Sequence, residues 1–287
     1  MKRILYLLLT LLALLGALPA QAQVYVEQEA PADWAQRDLM RLTVFRTGES
    51  DCMLLEAGGE AMMIDGGSNK YREKLRDALA ARNISQLKYL FSTHPHDDHI
   101  DGLYRLMQYG VTADEFISSF PKDFNNSLQK RTVQQADKMN IPFRRVEDGD
   151  EMTLGGAKLT FYQWYAGKTI DAKAPMTRIE YGDATLLLTS DIIGDTQRQF
   201  LQTLPPEALK ADIVKAPHHG LTGFKSEFLT AVDPEFVFIT NYDDGSAKKT
   251  VNQCVYRKIP YLHSASGTVI METNGTDWYV WQLYRQF

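Results

Sequence analysis

Phe91-Ser92-Thr93-His94-Pro95-His96-Asp97-Asp98-His99-Ile100-Asp101-Gly102-Leu103 is the stretch around which the chain is organised. Three of the six histidines fall within six residues, with two carboxylates between them. Upstream, Leu87-Lys88-Tyr89-Leu90-Phe91 is short and mostly apolar and reads as a buried strand. Downstream, residues 100–109 carry apolar side chains at helical spacing. The cluster therefore sits where a strand ends and a helix begins, the usual place for chemistry in α/β folds. Pro95 has no N–H and a fixed φ, so the helix starts only after the loop is complete. In an extended loop His94 and His96 point the same way, and Asp98 and His99 face the same cavity from the head of the helix. Two neutral imidazoles beside an Asp/His pair suit two adjacent zinc-like ions. The bland alternative is a solvated loop rich in histidine. Four potential ligands in one ordered pattern after a buried strand are poorly explained that way.

This His-x-His-x-Asp-His loop resembles the signature of the metallo-β-lactamase superfamily. The resemblance implies an αββα sandwich, an α/β fold, with one or two metals at one edge of its sheets.

At the start of the chain, Lys2 and Arg3 precede an apolar run over residues 4–18, followed by Pro19-Ala20-Gln21-Ala22. A basic n-region, a short apolar core and an Ala-x-Ala ending predict a secretory signal peptide over residues 1–22, cut after Ala22. An uncleaved anchor is the alternative, although the run is short for a membrane span. The expected mature chain, residues 23–287, is then periplasmic or secreted and has no further span. About 265 residues suit one large α/β domain, and no repeat, linker or low-complexity tract divides them. The net charge of −5 argues against a broadly basic nucleic-acid surface and leaves only a local one open. Nothing in the pattern bears on oligomeric state. Cys52 and Cys254 read as small buried residues, since two cysteines make no disulfide framework.

From residue 40 the pattern is β: strands over 40–45, 52–56 and 61–67 form a meander. Gly66-Gly67 closes it, where the lack of a side chain lets the backbone pass close to whatever lies in the cavity. Asp65 is either a turn former or a group that holds a ligand imidazole by its other nitrogen. An amphipathic helix over 70–82 leads into the motif strand. Further strands are expected over 115–119, 143–146, 152–154, 157–162, 176–181, 184–189, 211–217 and 236–239, and helices over 126–139, 194–201 and 251–258. Asn274-Gly275 joins two strands in a hairpin. Residues 164–175 are polar, irregular and unreadable, either lining a cleft or lying on the surface.

Asp191 follows a buried strand, where a carboxylate is costly unless paired or metal-bound. It is a candidate bridge between two ions, with a helix N-cap as the alternative. His218-His219-Gly220 ends another strand. His218, the first residue after that strand, is expected to be the ligand, and His219 to contact substrate or act as an acid. His263 either reaches the cavity rim or is an ordinary satisfied histidine.

Gly48-Glu49-Ser50-Asp51, Ile64-Asp65-Gly66-Gly67, the motif loop, Leu188-Thr189-Ser190-Asp191 and Lys215-Ala216-Pro217-His218-His219-Gly220 stand in an order that resembles one branch of the superfamily. That branch is the metallo-β-lactamase domain of competence (ComEC-like) DNA-uptake proteins. Many superfamily members place another metal-binding histidine between the motif loop and the bridging Asp. Here no histidine lies between His99 and His218, so water or Asp171 is left to complete the first metal.

The expected protein is an exported metal-dependent hydrolase. His94 and His96 hold the first metal; Asp98, His99 and His218 hold the second; Asp191 bridges them; Asp98 and His219 are the catalytic candidates. One or two Zn2+ ions, or Mn2+, are the expected cofactors. The resemblance implies attack by a metal-bound hydroxide, most readily on a phosphodiester in a small molecule or a polymer. β-Lactam or lactone opening is the rival chemistry, and a metal-poor binding module the rival without chemistry.

Overall fold

The computed structural model describes residues 22–287. The signal peptide expected over residues 1–22 thus lies, up to residue 21, outside the described residues. The strands are β1 (Gln23–Val26), β2 (Met40–Val44), β3 (Cys52–Ala57), β4 (Glu60–Gly66), β5 (Gln86–Ser92), β6 (Thr112–Ser118), β7 (Phe143–Arg145), β8 (Glu151–Leu154), β9 (Ala157–Tyr162), β10 (Met176–Tyr181), β11 (Ala184–Leu188), β12 (Ile213–Lys215), β13 (Phe236–Ile239), β14 (Tyr261–His263), β15 (Gly267–Thr273) and β16 (Asp277–Tyr284). The helices are α1 (Arg72–Ala80), α2 (Asp97–Gln108), α3 (Ser127–Lys138), α4 (Gly194–Thr203), α5 (Pro206–Leu209), α6 (Ser226–Val232) and α7 (Lys248–Arg257). A nine-stranded sheet runs in the order β1-β16-β15-β2-β3-β4-β5-β6-β7 and a seven-stranded one in the order β14-β13-β12-β11-β10-β9-β8.

Side-chain alternation along the strands sorts residues into layers. Met53, Leu55, Met62, Ile64 and Phe91 of the larger sheet face Leu159, Phe161, Leu186, Leu188 and Phe238 of the smaller one in a shared core. Their neighbours Leu54, Met63 and Leu90 face outward onto Leu75 and Leu79 of α1, Leu103 and Leu106 of α2, and Val133 of α3. On the other side Leu187, Val214 and Val237 face outward onto Phe200 of α4, Phe228 and Leu229 of α6 and Cys254 of α7. The fold is therefore an αββα sandwich. Phe91 and Phe161 cross between the sheets edge to face, with ring centroids 5.3 Å apart. Cys52 and Cys254 are buried, unpaired and on opposite outer layers. Among the described residues no helix is long and apolar enough to cross a membrane.

Two runs of parallel strands position the chemistry. β4, β5 and β6 pair in parallel in the larger sheet, and β11, β12, β13 and β14 do so in the smaller. Their carboxyl ends lie on one side, where ligands bind in open α/β sheets. α2 begins at Asp97, inside the motif rather than after it. Gly66 serves a different purpose from the one expected. It makes room for helix α2, not for a ligand: a Cβ on Gly102 would overlap the Gly66 carbonyl, and one on Gly66 would overlap the backbone of Gly102 and Leu103. The Gly102 N–H also donates to Gly67 O at 2.9 Å.

Gly102→Ala should therefore push α2 off β4. The expected cost is about 1–3 kcal/mol, the usual range for overpacking, read from urea unfolding. Because α2 carries Asp98 and His99, retained metal should fall with it.

Candidate metal centre

Five strand ends deliver side chains to one place. Asp65 closes β4, His94 follows β5, Asp191 follows β11, His219 follows β12, and Thr240 follows β13. Asp98 and His99 arrive from the first turn of α2. Asp51 comes from the loop before β3, and Asp171 from a single 3-10 turn, Asp171–Lys173.

The donor atoms form two groups that share Asp191. In the first, His99 Nε2 and His219 Nε2 lie 3.3 Å apart, and each is 3.2 Å from Asp191 Oδ2. Asp98 Oδ2 is 3.1 Å from His219 Nε2 and 3.9 Å from His99 Nε2. A tetrahedral ion with bonds of about 2.0–2.1 Å needs ligand atoms about 3.3 Å apart, and these spacings fit it. In the second group His94 Nε2 lies 3.1 Å from His96 Nδ1. Asp171 Oδ1 is 3.2 Å from His96 Nδ1 and 3.9 Å from His94 Nε2, and Asp191 Oδ2 is 3.8 Å from His94 Nε2. Asp171 thus joins His94 and His96, as expected if it completes the first group. Asp191 Oδ1 and Asp171 Oδ1 are both buried without a hydrogen-bond donor. Buried carboxylate oxygens in that state call for a cation.

Behind the donors, His94, His99 and His219 are each oriented by the far nitrogen of the ring. Asp65 Oδ2 holds His99 Nδ1 at 2.8 Å. Asp65 also accepts from the Thr93 hydroxyl at 2.6 Å, and that hydroxyl lies 3.1 Å from His94 Nδ1. One carboxylate thereby fixes two rings, the orienting role weighed for it in the sequence. Asp51 Oδ1 lies 3.2 Å from His219 Nδ1 and accepts from the Thr240 hydroxyl at 2.7 Å. Asp51 Oδ2 pairs with the buried Lys215 ammonium at 2.9 Å. Asp51 belongs to the same compact cluster as His99, Asp191 and His219. Its oxygens, however, are taken up by Lys215, Thr240 and the Nδ1 side of His219, so it orients and counter-charges. Lys215 further donates to Ser190 O at 2.9 Å and lies 3.7 Å from Asp191 Oδ1.

The expectation for the two adjacent histidines is reversed. His219, expected to be a substrate contact, is buried among the donors. His218, expected to be the ligand, lies outside both groups with its side chain 27% exposed, its Nε2 3.9 Å from Asp191 Oδ2 and its Nδ1 unpartnered. Both residues are left-handed, with φ of 50° and 53°, and two such residues in succession swing the second side chain inward. Asp65 and Ser190 are left-handed as well, with φ of 51° and 45°. Such backbone costs about 1–3 kcal/mol per residue and persists only where the surroundings fix it. His263 enters neither group; its Nε2 lies 3.4 Å from Asp244 Oδ1.

Carboxylates dominate the electrostatics of the site. Burial opposes charge on His99, yet Asp191, Asp65 and Asp98 outweigh it and raise its pKa well above the usual value. Burial likewise opposes charge on His219, and Asp191 and Asp51 outweigh it in the same way. Asp191 is held well below the carboxylate range because His219 and His99 overcome its desolvation. His94, whose burial dominates, is pushed well below its ordinary value and stays neutral, as a ligand must.

Residues 46–167, which carry the motif loop, match the model of the metallo-beta-lactamase superfamily. The chain has the metallo-β-lactamase fold, and residues 46–167 resemble that superfamily. This fold binds divalent metals, and most of the superfamily are metal-dependent hydrolases. The chain is similar to the metallo-β-lactamase fold protein YhfI from Bacillus subtilis, at 14% identity and TM-score 0.51, covering 78% of this chain and 95% of that one. It is also similar to CmlA, a diiron β-hydroxylase from Streptomyces venezuelae, at 14% identity and TM-score 0.52. That match covers 82% of this chain and 54% of CmlA, so the chain spans about half of it. At such identities both likenesses show the metallo-β-lactamase fold alone. No curated protein sequence matches the chain.

His219→Ala should lose metal, while His218→Ala should keep it, by elemental analysis after reconstitution and desalting. Equal loss in both would refute the assignment of His219 to the donor set. Lys215→Met leaves Asp51 buried without its cation, and a drop of about 3–5 kcal/mol in unfolding free energy is expected.

Proposed function

We propose that the protein is an exported hydrolase that uses two divalent ions, zinc or manganese, to cleave a phosphodiester. The observation that carries this reading is the sharing of Asp191 by two donor groups. With Asp191 Oδ2 3.2 Å from the His99 and His219 Nε2 atoms and 3.8 Å from His94 Nε2, the carboxylate would help hold both ions. Such a pair, when bound, polarises a phosphoryl oxygen and makes a water molecule a nucleophile near neutral pH. His94, His96 and Asp171 would hold one ion, and Asp98, His99 and His219 the other.

The remaining side chains define the open face. His96, Asp98 and Asp171 are partly exposed while His94, His99, His219 and Asp191 are sealed, so substrate approaches over those three side chains. His218 stands at that rim with its side chain partly exposed and its Nε2 3.9 Å from Asp191 Oδ2, and would donate a proton to a leaving oxygen. The motif order resembling the competence (ComEC-like) branch supports a phosphodiester over a lactam. The leader-like residues 1–22 support export.

An activated diester, bis(p-nitrophenyl) phosphate, should be hydrolysed by the metal-loaded protein. Asp191→Ala should lose metal and about 10²-fold or more in rate, the scale of losing a main electrostatic stabiliser. His218→Ala should keep metal and lose turnover. A chromogenic cephalosporin is assayed in parallel, and efficient opening of it without diester cleavage would overturn the substrate class.

A further inference from the structure

A second cavity lies on segments that lead to the metal centre. Arg46, Gly48, Lys70, Tyr71, Lys74 and Tyr242 line a cavity of about 320 Å³ that also touches Ala265. Most other cations of the two sheets are neutralised: Arg41 pairs with Glu272, Lys88 with Glu60, Arg131 with Asp101 and Arg144 with Glu115. Arg46, Lys70 and Lys74 lie outside the strands, are exposed, and stand together on one cavity. Among the described residues none of them has a carboxylate within 4.0 Å. Arg46 donates to the Ala265 and Arg285 carbonyls. Lys70 and Lys74 lie over the rings of Tyr71 and Phe287, 5.2 and 5.8 Å from their centroids. In a chain of net charge −5, three unpaired cations around one concavity make a local positive potential that attracts an anion.

The cavity is tied to the metal centre by three segments. Gly48 precedes Asp51 by three residues. Lys70 follows Gly67 by three, and the Gly67 N–H donates to Asp51 O at 2.7 Å. Tyr242 adjoins Asn241, whose Nδ2 donates to His219 O at 2.9 Å. Three residues span at most about 10 Å, within the length of one substrate molecule. Gly48, at φ +75°, has no side chain where Tyr242 lies, and a Cβ there would collide with the ring. The tyrosine can therefore lie down on the loop and line the cavity.

We propose that this cavity is a subsite for a second phosphate of the substrate, removed from the bond that is cleaved; this rests on the phosphodiester reading above. Arg46 and the two lysines would hold the phosphate oxygens, and Tyr71 and Tyr242 would pack against the group that links the two phosphates. The enzyme thus selects substrates bearing two or more phosphates over simple diesters.

The test compares the p-nitrophenyl ester of thymidine 5′-monophosphate with the same ester phosphorylated at its 3′ oxygen. With the wild-type holoenzyme the second should show a KM lower by roughly tenfold, the scale of a charge-assisted contact, at similar kcat. Lys70→Gln/Lys74→Gln should abolish that difference, leaving metal content and kcat on the simple ester unchanged. An unchanged KM ratio in the variant overturns the proposal. Binding of tripolyphosphate to both proteins, measured by calorimetry, separates the subsite from the chemistry. Weaker binding to the variant with neither ester cleaved upholds the subsite and removes the hydrolase reading. Equal binding removes the subsite.

Discussion

Five carboxylates, those of Asp51, Asp65, Asp98, Asp171 and Asp191, converge on a centre in which Lys215 is the one fully buried ammonium among the described residues. Charges of one sign cannot be brought together in a dry interior without compensation. In the absence of an ion, protonated His99 and His219 supply part of that compensation; with neutral imidazoles as ligands, two divalent cations would balance the five carboxylates against Lys215. Much of the surrounding structure serves this concentration of charge. The carboxyl ends of parallel strands from both sheets point at it, and left-handed residues turn the side chains inward. Gly66 and Gly102 let α2 press close enough to add Asp98 and His99.

Orientation follows from the same groups. Asp65 and Asp51 hold the Nδ1 sides of His99 and His219 and so turn both Nε2 atoms toward Asp191. Outer partners of this kind fix the tautomer and raise the basicity of a metal ligand. Lys215 ties them together, bonding Ser190 O at the end of β11 while pairing with Asp51 from the loop before β3. The centre thereby links the two sheets by ionic contacts at the point where their apolar core ends.

Much of this was legible in the sequence. Period-two alternation gave the meander and the central strands, and His-x-His-x-Asp-His after an apolar strand marked the centre. Asp65 and Asp191 were found because a carboxylate closing a buried strand needs a reason to be there. Other residues were hidden for physical reasons. Asp51 sits in Gly-Glu-Ser-Asp, a pattern that reads as a turn, and its buried role depends on Lys215, which lies 164 positions later in the chain. Asp171 lies in the irregular stretch 164–175, where no periodicity assigns direction to a side chain, and only a missing histidine pointed to it. His218 and His219 were exchanged because the first residue after an extended strand points into the cavity only if the backbone stays extended. Here it turns left-handed twice. Gly66 was read as an opening for a ligand when it is an opening for α2, because sequence shows that a side chain is missing but not what fills its place.

The charge balance at the centre is tested most directly by counting metal. The wild-type protein is reconstituted with excess zinc, desalted, and analysed for zinc against protein concentration from amino-acid analysis. Two equivalents per chain are expected, because two divalent ions balance the carboxylates and Lys215 once the imidazoles serve as neutral ligands. A protein that retains no zinc, and none after the same treatment with manganese, would contradict the account.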